Sequence, residues 1–181
     1  MSKIELNPTT SLLVIDIQER LLSAMSEMES KRIVHHTETL IMLANAYGAS
    51  VFYSEQYPKG LGPTASSLKP HLSDASYCEK TSFDVCEASA FDVDALQPTV
   101  IVVGMEAHIC VQSTVSSLLA SDRRVIVPFD AVLSRDPMYK TNGLEWMKRD
   151  GAEISNVESI VFQTLKDAKS DHFKVFSKRI Q

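Results

Sequence analysis

No stretch of this sequence is long and apolar enough to span a bilayer as a helix: the longest hydrophobic runs, such as SLLVI and TVIVVGM, fall well short. The amino-terminal MSKIELNPTT lacks the apolar centre of a signal peptide. Nor is there a block of Lys and Arg of the kind that tracks a phosphate backbone, and the net charge is -5 with the signs mixed. These absences predict a cytoplasmic protein with neither a membrane nor a nucleic acid as partner. Cysteine is scarce. Three residues, Cys78, Cys86 and Cys110, are an odd number without an export signal, which fits free thiols in a reducing compartment. Cys78 and Cys86 have no second pair and no nearby histidine, so neither a C-x-x-C redox motif nor a zinc ribbon is present. No internal repeat, low-complexity tract or linker divides the chain, and its 181 residues, 44% of them hydrophobic, suit one domain over residues 1–181.

What the sequence does contain is an alternation of strand-like and helix-like segments from end to end, the pattern of a parallel sheet covered by helices on both faces. Strands are expected at Ser11–Ile15, Ala49–Ser54, Ser76–Lys80, Thr99–Val103, Arg124–Phe129 and Ala152–Ser155. Helices are expected over Glu29–Tyr47, stopped by Gly48, over Ala88–Ala95, from the end of the fourth strand to about Ser121, over Met138–Asp150 and from Val157. The fold class is therefore α/β, a three-layer α/β/α Rossmann-like sandwich with a six-stranded, mainly parallel sheet in the order 3-2-1-4-5-6. QYPKGLGPTASS breaks all periodicity and reads as a loop long enough to form a lid. The charged tail from Asp167 to Gln181 reads as a helix that packs on a neighbouring subunit.

Open parallel sheets bind ligands beyond the carboxyl ends of their strands, at the point where successive connections reverse direction. In this order the reversal lies between the first and fourth strands, so Asp16, which follows the first, and Cys110, which follows the fourth, share a crevice. Lys80 arrives from the third. An unperturbed thiol has a pKa near 8.5, and the thiolate is the attacking form. Helix amino-terminal amides and the Lys80 ammonium are expected to lower that pKa, while Asp16 accepts the proton. Each residue also has an ordinary structural reading: Cys110 as a small buried apolar side chain, Asp16 as a turn or helix cap, Lys80 as a solvated surface cation.

LLVIDIQ with Asp16 and Gln18, KTSFD with Lys80, GMEAHICVQST with Cys110 and VPFDAVLSR at residues 127–135 occur in the order found in the isochorismatase-like cysteine hydrolases, which the chain resembles over about residues 10–165. The resemblance implies a Cys110-Asp16-Lys80 triad. It also implies a cis peptide at Met105-Glu106, with the Glu106 and Cys110 amides serving a developing oxyanion. SEQYPKGLGPT, residues 54–64, is similar to isochorismatase domain-containing proteins of unassigned substrate. Where nicotinamidases carry an Asp-x-His type metal motif, this chain has Glu55, Gln56 and Tyr57, and His71 stands without partners, so no metal and no cofactor are expected. True isochorismatases, which hydrolyse a vinyl ether, lack the cysteine. The resemblance thus implies a hydrolase that cleaves a small amide-type substrate through a thioester, in a homo-oligomer. Gln18, Gln56, Tyr57, Phe83 and His108 are the candidates for contacting substrate. Core packing is the alternative for Phe83, and a helix-start hydrogen bond for Gln18. A non-enzymatic binding or scaffold module that keeps the pocket, an isochorismatase-type vinyl ether hydrolase, and a redox-sensing thiol with Cys78 near Lys80 are the competing functions.

Overall fold

A computed structural model describes residues 3–180 of the chain; Met1, Ser2 and Gln181, the ends of the span read as one domain, lie outside them. Among the described residues the elements run β1 (Thr10–Ile15), α1 (Glu19–Ser23), α2 (Glu27–Tyr47), β2 (Ser50–Gln56), α3 (Pro58–Leu61), β3 (Ser76–Lys80) and β4 (Thr99–Met105). They continue with α4 (Gln112–Ala120), β5 (Arg124–Pro128), β6 (Val132–Leu133), α5 (Pro137–Asp150), β7 (Glu153–Ser155), α6 (Val157–Leu165) and α7 (Phe173–Arg179). The sheet is parallel in the order β3-β2-β1-β4-β5-β7, with β6 also paired to β4. The expected α/β class and strand order hold, with seven strands rather than six. The extra strand has two residues and replaces β5 beside the end of β4, pairing Gly104 with Val132 and Met105 with Leu133. Two residues carry no alternation to read.

The continuous apolar runs of β1 and β4 follow from burial on both faces. Leu12 and Val14 of β1, with Ile101, Val103 and Met105 of β4, pack under α2, α6 and α7. Leu13 and Ile15, with Val100 and Val102, face α4 and α5. Ile33, Leu40, Ile41 and Ala44 form the inward stripe of α2, each large side chain contributing roughly 1.5–3 kcal/mol on full burial. Ser26 caps α2 by accepting from the Glu29 amide, and Gly48 ends it with φ +73°.

One expectation changes, and two segments gain detail. The helix expected over Ala88–Ala95 is a series of turns with one 3-10 turn at Val93–Ala95. Asp84 and Asp92 accept backbone hydrogen bonds from Cys86 and Asp94, which compete with helix formation. The tail helix α7 packs on its own chain: Phe176 is buried in the core, Arg179 donates to Thr39 and pairs with Glu38, and the Arg179 carbonyl bonds His35. The long loop is anchored to β2 through Thr64. Glu55 accepts from the amide and hydroxyl of Thr64 at 2.6 and 2.7 Å and from the Tyr77 hydroxyl at 2.9 Å.

Candidate active site

β1 and β4 lie side by side with Ile15 opposite Gly104, so the residues just past them, Asp16 and the turn after Met105, meet at the reversal of strand order. Only glycine fits at position 104: its φ is +133°, and an added Cβ would stand 2.0 Å from the Ile15 carbonyl oxygen. The two backbones therefore approach closely where the site forms. After a cis peptide between Met105 and Glu106 the chain makes a wide π-helical turn over Ala107–Val111 and continues as α4, with Cys110 in that turn. The helix expected here is thus entered through a wider turn than periodicity indicates.

Asp16 is fully buried in a left-handed conformation, φ 52°. Its Oδ1 accepts from the Ser54 hydroxyl at 2.7 Å and its Oδ2 from Lys80 Nζ at 2.7 Å. Lys80, also buried, donates further to Gln56 Oε1 at 2.6 Å and to the Ser82 carbonyl at 3.3 Å, so its three protons all have acceptors. Cys110 is buried in the layer formed with Ile15, Val111 and Val115, within electrostatic reach of both Asp16 and Lys80. Asp16, Lys80 and Cys110 are thus brought together from the ends of three parallel connections.

The thiol's resting state differs from the expectation. Burial first, and then the Asp16 carboxylate, push the Cys110 thiol up to about 12, and Lys80 offsets this only in part. Lys80 is engaged by Asp16 at 2.7 Å, so its effect on the sulfur is the smaller one. Cys86 is also pushed up to about 12, by burial and then by Asp84. Between the ordinary thiol range, about 8.5–9, and about 12 the unfolded chain holds fewer protons than the folded one, so stability falls as pH rises through that window. A melting series should show the midpoint dropping across it, less steeply in Cys110→Ala; a parallel drop in both proteins would contradict the raised value.

The other candidates divide. Gln56 sits in the site, but its side chain holds Lys80 and donates to the Thr81 carbonyl at 2.8 Å. Gln18 is fully buried: its Nε2 donates to the Gln56 and Gly62 carbonyls at 3.1 and 2.6 Å, and its Oε1 accepts from the Gln56 amide at 2.8 Å. It fastens the loop to β1. Gln18→Ala should lower unfolding stability by about 1–3 kcal/mol and speed proteolytic nicking near residues 56–64. Unchanged nicking would show the loop to be held by other bonds. Tyr57 and Phe83 are exposed, which removes core packing as an account of Phe83. His108 lies in the Cys110 turn, its Nδ1 3.0 Å from the Ser134 hydroxyl and its ring 4.9 Å from that of Tyr139. His71 pairs with Glu38 at 3.2 Å, and Glu55 is occupied by Thr64 and Tyr77. Sequence reasoning missed Ser54, Ser134 and Arg135, whose amide donates to Glu106 Oε2 at 2.9 Å. The parallel register of Ile15 with Ser54 was the signal available for the first.

Among the described residues no helix is long and apolar enough to cross a membrane. The isochorismatase domain model matches residues 10–159. Isochorismatase family protein 1A of Dictyostelium discoideum is 30% identical over 177 residues, covering 93% of this chain and 85% of the relative. Isochorismatase domain-containing protein 1 of Danio rerio is 32% identical over 175 residues, covering 93% of this chain and 60% of the relative. The solved structure of MAR1 ribonuclease from Caenorhabditis elegans shares 32% identity with a TM-score of 0.88, covering 99% of this chain and 92% of that one. With the family model running from β1 into α6 and the likeness extending over nearly the whole length, the chain belongs to the isochorismatase domain family.

Proposed function

We propose that the protein is a cysteine-dependent hydrolase that cleaves the C–N bond of a small amide-type substrate through a thioester on Cys110. The observation that carries this reading is a buried carboxylate, Asp16, held at 2.7 Å by a buried ammonium, Lys80, with a thiol in electrostatic reach of both. As the sulfur attacks the carbonyl carbon, its proton passes to Asp16 and the carbonyl electrons move onto oxygen. The amides of Glu106 and Cys110 receive that oxyanion. Collapse of the intermediate expels the amine, which takes the proton from Asp16, leaving an acyl-thioester. Water, deprotonated by Asp16, then attacks the thioester, releasing the acid and restoring the thiol.

A resting thiol raised to about 12 makes proton transfer and attack a single coupled event, so Asp16 is indispensable rather than auxiliary. Gln56 and Ser54 are positioning residues for Lys80 and Asp16. Tyr57, Phe83 and His108 remain the proposed substrate contacts around the mouth. The same reading places the protein in a reducing cytosol, supported by three free thiols, and in a homo-oligomer, supported by exposed Tyr57, Phe83, Met138, Tyr139 and Trp146. RNA cleavage is a second reading, favoured by the likeness to a nematode protein named as a ribonuclease; the net charge of -5 weighs against it. A panel of small carboxamides, ureido compounds and single-stranded RNA, assayed with the full chain and with Cys110→Ala, tests these readings. Cys110-dependent release of ammonia or amine is expected. RNA cleavage that persists in Cys110→Ala, with no amide turned over, would overturn the proposal.

A further inference from the structure

Outside the triad, a cavity of about 390 Å³ opens where the α1–α2 connection, the end of β6 and the start of α5 meet. Its cationic side chains are Arg32, Arg135 and Lys140, and Met25 and Leu133 give it an apolar wall. Two of these three cations are held in ion pairs. Arg32 is paired with Glu29 at 2.6 Å and Arg135 with Glu106 at 3.5 Å. The Lys140 ammonium, only partly exposed, makes no hydrogen bond and no ion pair within 4 Å among the described residues. The acidic groups that act on it, Glu29 and Asp130, are committed elsewhere: Asp130 accepts from the Val157 amide at 2.9 Å and lies 3.5 Å from His36. Burial, and then the Arg32 guanidinium, hold the Lys140 ammonium below its ordinary value. A half-buried ammonium with no carboxylate at ion-pair distance is costly, and a bound anion would relieve the cost.

The cavity is tied to the turn that carries the nucleophile. Ser134 in its wall is 3.0 Å from His108 Nδ1, and the Arg135 amide donates to Glu106 at 2.9 Å. With Arg32 and Arg135 in ion pairs, Lys140 is the one ammonium of the cavity outside any ion pair, which matches a monoanion better than a phosphate dianion. We infer that this cavity is a subsite for a single carboxylate on the substrate, with Lys140 as its counter-ion and Met25 and Leu133 against the carbon chain. The assignment to a substrate rests on the hydrolase reading; the binding itself does not.

The two are separated by titrating full-length Cys110→Ala, which cannot turn over, with butyrate, butyramide and inorganic phosphate by calorimetry. Butyrate is expected to bind at least ten-fold more tightly than neutral butyramide and more tightly than phosphate. Lys140→Gln, which keeps most of the stem and removes the charge, should erase that preference, whereas Lys148→Ala on the exposed side of α5 should keep it. Equal affinity for butyrate with and without Lys140, or tighter binding of phosphate, would overturn the inference. In the intact enzyme, succinamate should exceed butyramide at least ten-fold in kcat/KM. Butyrate binding without that preference would overturn the assignment to the substrate, while failure to hydrolyse any amide would count against the hydrolase reading and leave the anion site standing.

Discussion

Cys110→Ala is expected to lower kcat/KM by roughly ten-thousand-fold or more while leaving the fold intact, because no other group in the crevice can form the acyl bond. Removing one buried sulfur from a layer otherwise made of Ile15, Val111 and Val115 leaves a small void, not an unpaired charge. Cys110→Ser should be nearly as inactive. A hydroxyl gives up its proton less readily than a thiol, and the burial and the Asp16 charge that push the thiol up to about 12 would act on serine in the same direction. Asp16→Asn is expected to approach the same loss, since the carboxylate is the proton acceptor for a sulfur that is not ionised at rest. Comparable turnover in Asp16→Asn and the native chain would mean that the thiolate forms without Asp16.

Lys80→Met carries the second large effect, and it falls on stability as well as rate. The Asp16 carboxylate is fully buried with Lys80 at 2.7 Å, and the Ser54 hydroxyl alone would remain to hold it. Stripping one partner from a buried ion pair leaves an uncompensated charge and costs about 3–5 kcal/mol. Gln56 Oε1 and the Ser82 carbonyl would lose their donor at the same time. Urea unfolding should show the loss, and the double variant Asp16→Asn/Lys80→Met should recover a good part of it, since neither charge is then left alone. Additive losses in the double variant would show that the two residues are not coupled through their charges.

The ends of the strands are the most readable part of the sequence. β1 and β4 are buried on both faces, so their uninterrupted apolar runs mark them plainly, and the connection rule then puts Asp16 beside the turn of Cys110. Lys80 is placed by the same connection rule, as the residue at the end of β3, although that edge strand carries a weaker pattern. Side-chain direction is not. Gln18 and Gln56 stand in the right place, yet the Gln18 amide is spent on the Gly62 carbonyl and the Gln56 backbone, and the Gln56 amide on Lys80 and the Thr81 carbonyl. The bonds that fasten Gln18 join segments 38 and 44 residues apart, which no local pattern encodes.

The thiol's ionisation is also out of reach of the sequence. Reading Lys80 as a free cation near the sulfur implies a lowered value, whereas burial and the Asp16 carboxylate that Lys80 is paired with outweigh it and give the opposite sign. Likewise β6 is hidden by its length of two residues, and the turns after β3 by Asp84 and Asp92, whose side chains satisfy backbone amides that a helix would otherwise use. The tail helix is amphipathic in sequence, but its apolar side chain Phe176 finds the core of its own chain.

The covalent step is the point on which the chemistry depends, and it can be caught directly. Acid quenching during turnover of an amide identified by the substrate panel, followed by peptide mass spectrometry, should find the acyl group on Cys110. Added hydroxylamine should divert that group to the hydroxamate. An unmodified Cys110 throughout turnover, with no hydroxamate formed, would contradict a thioester mechanism.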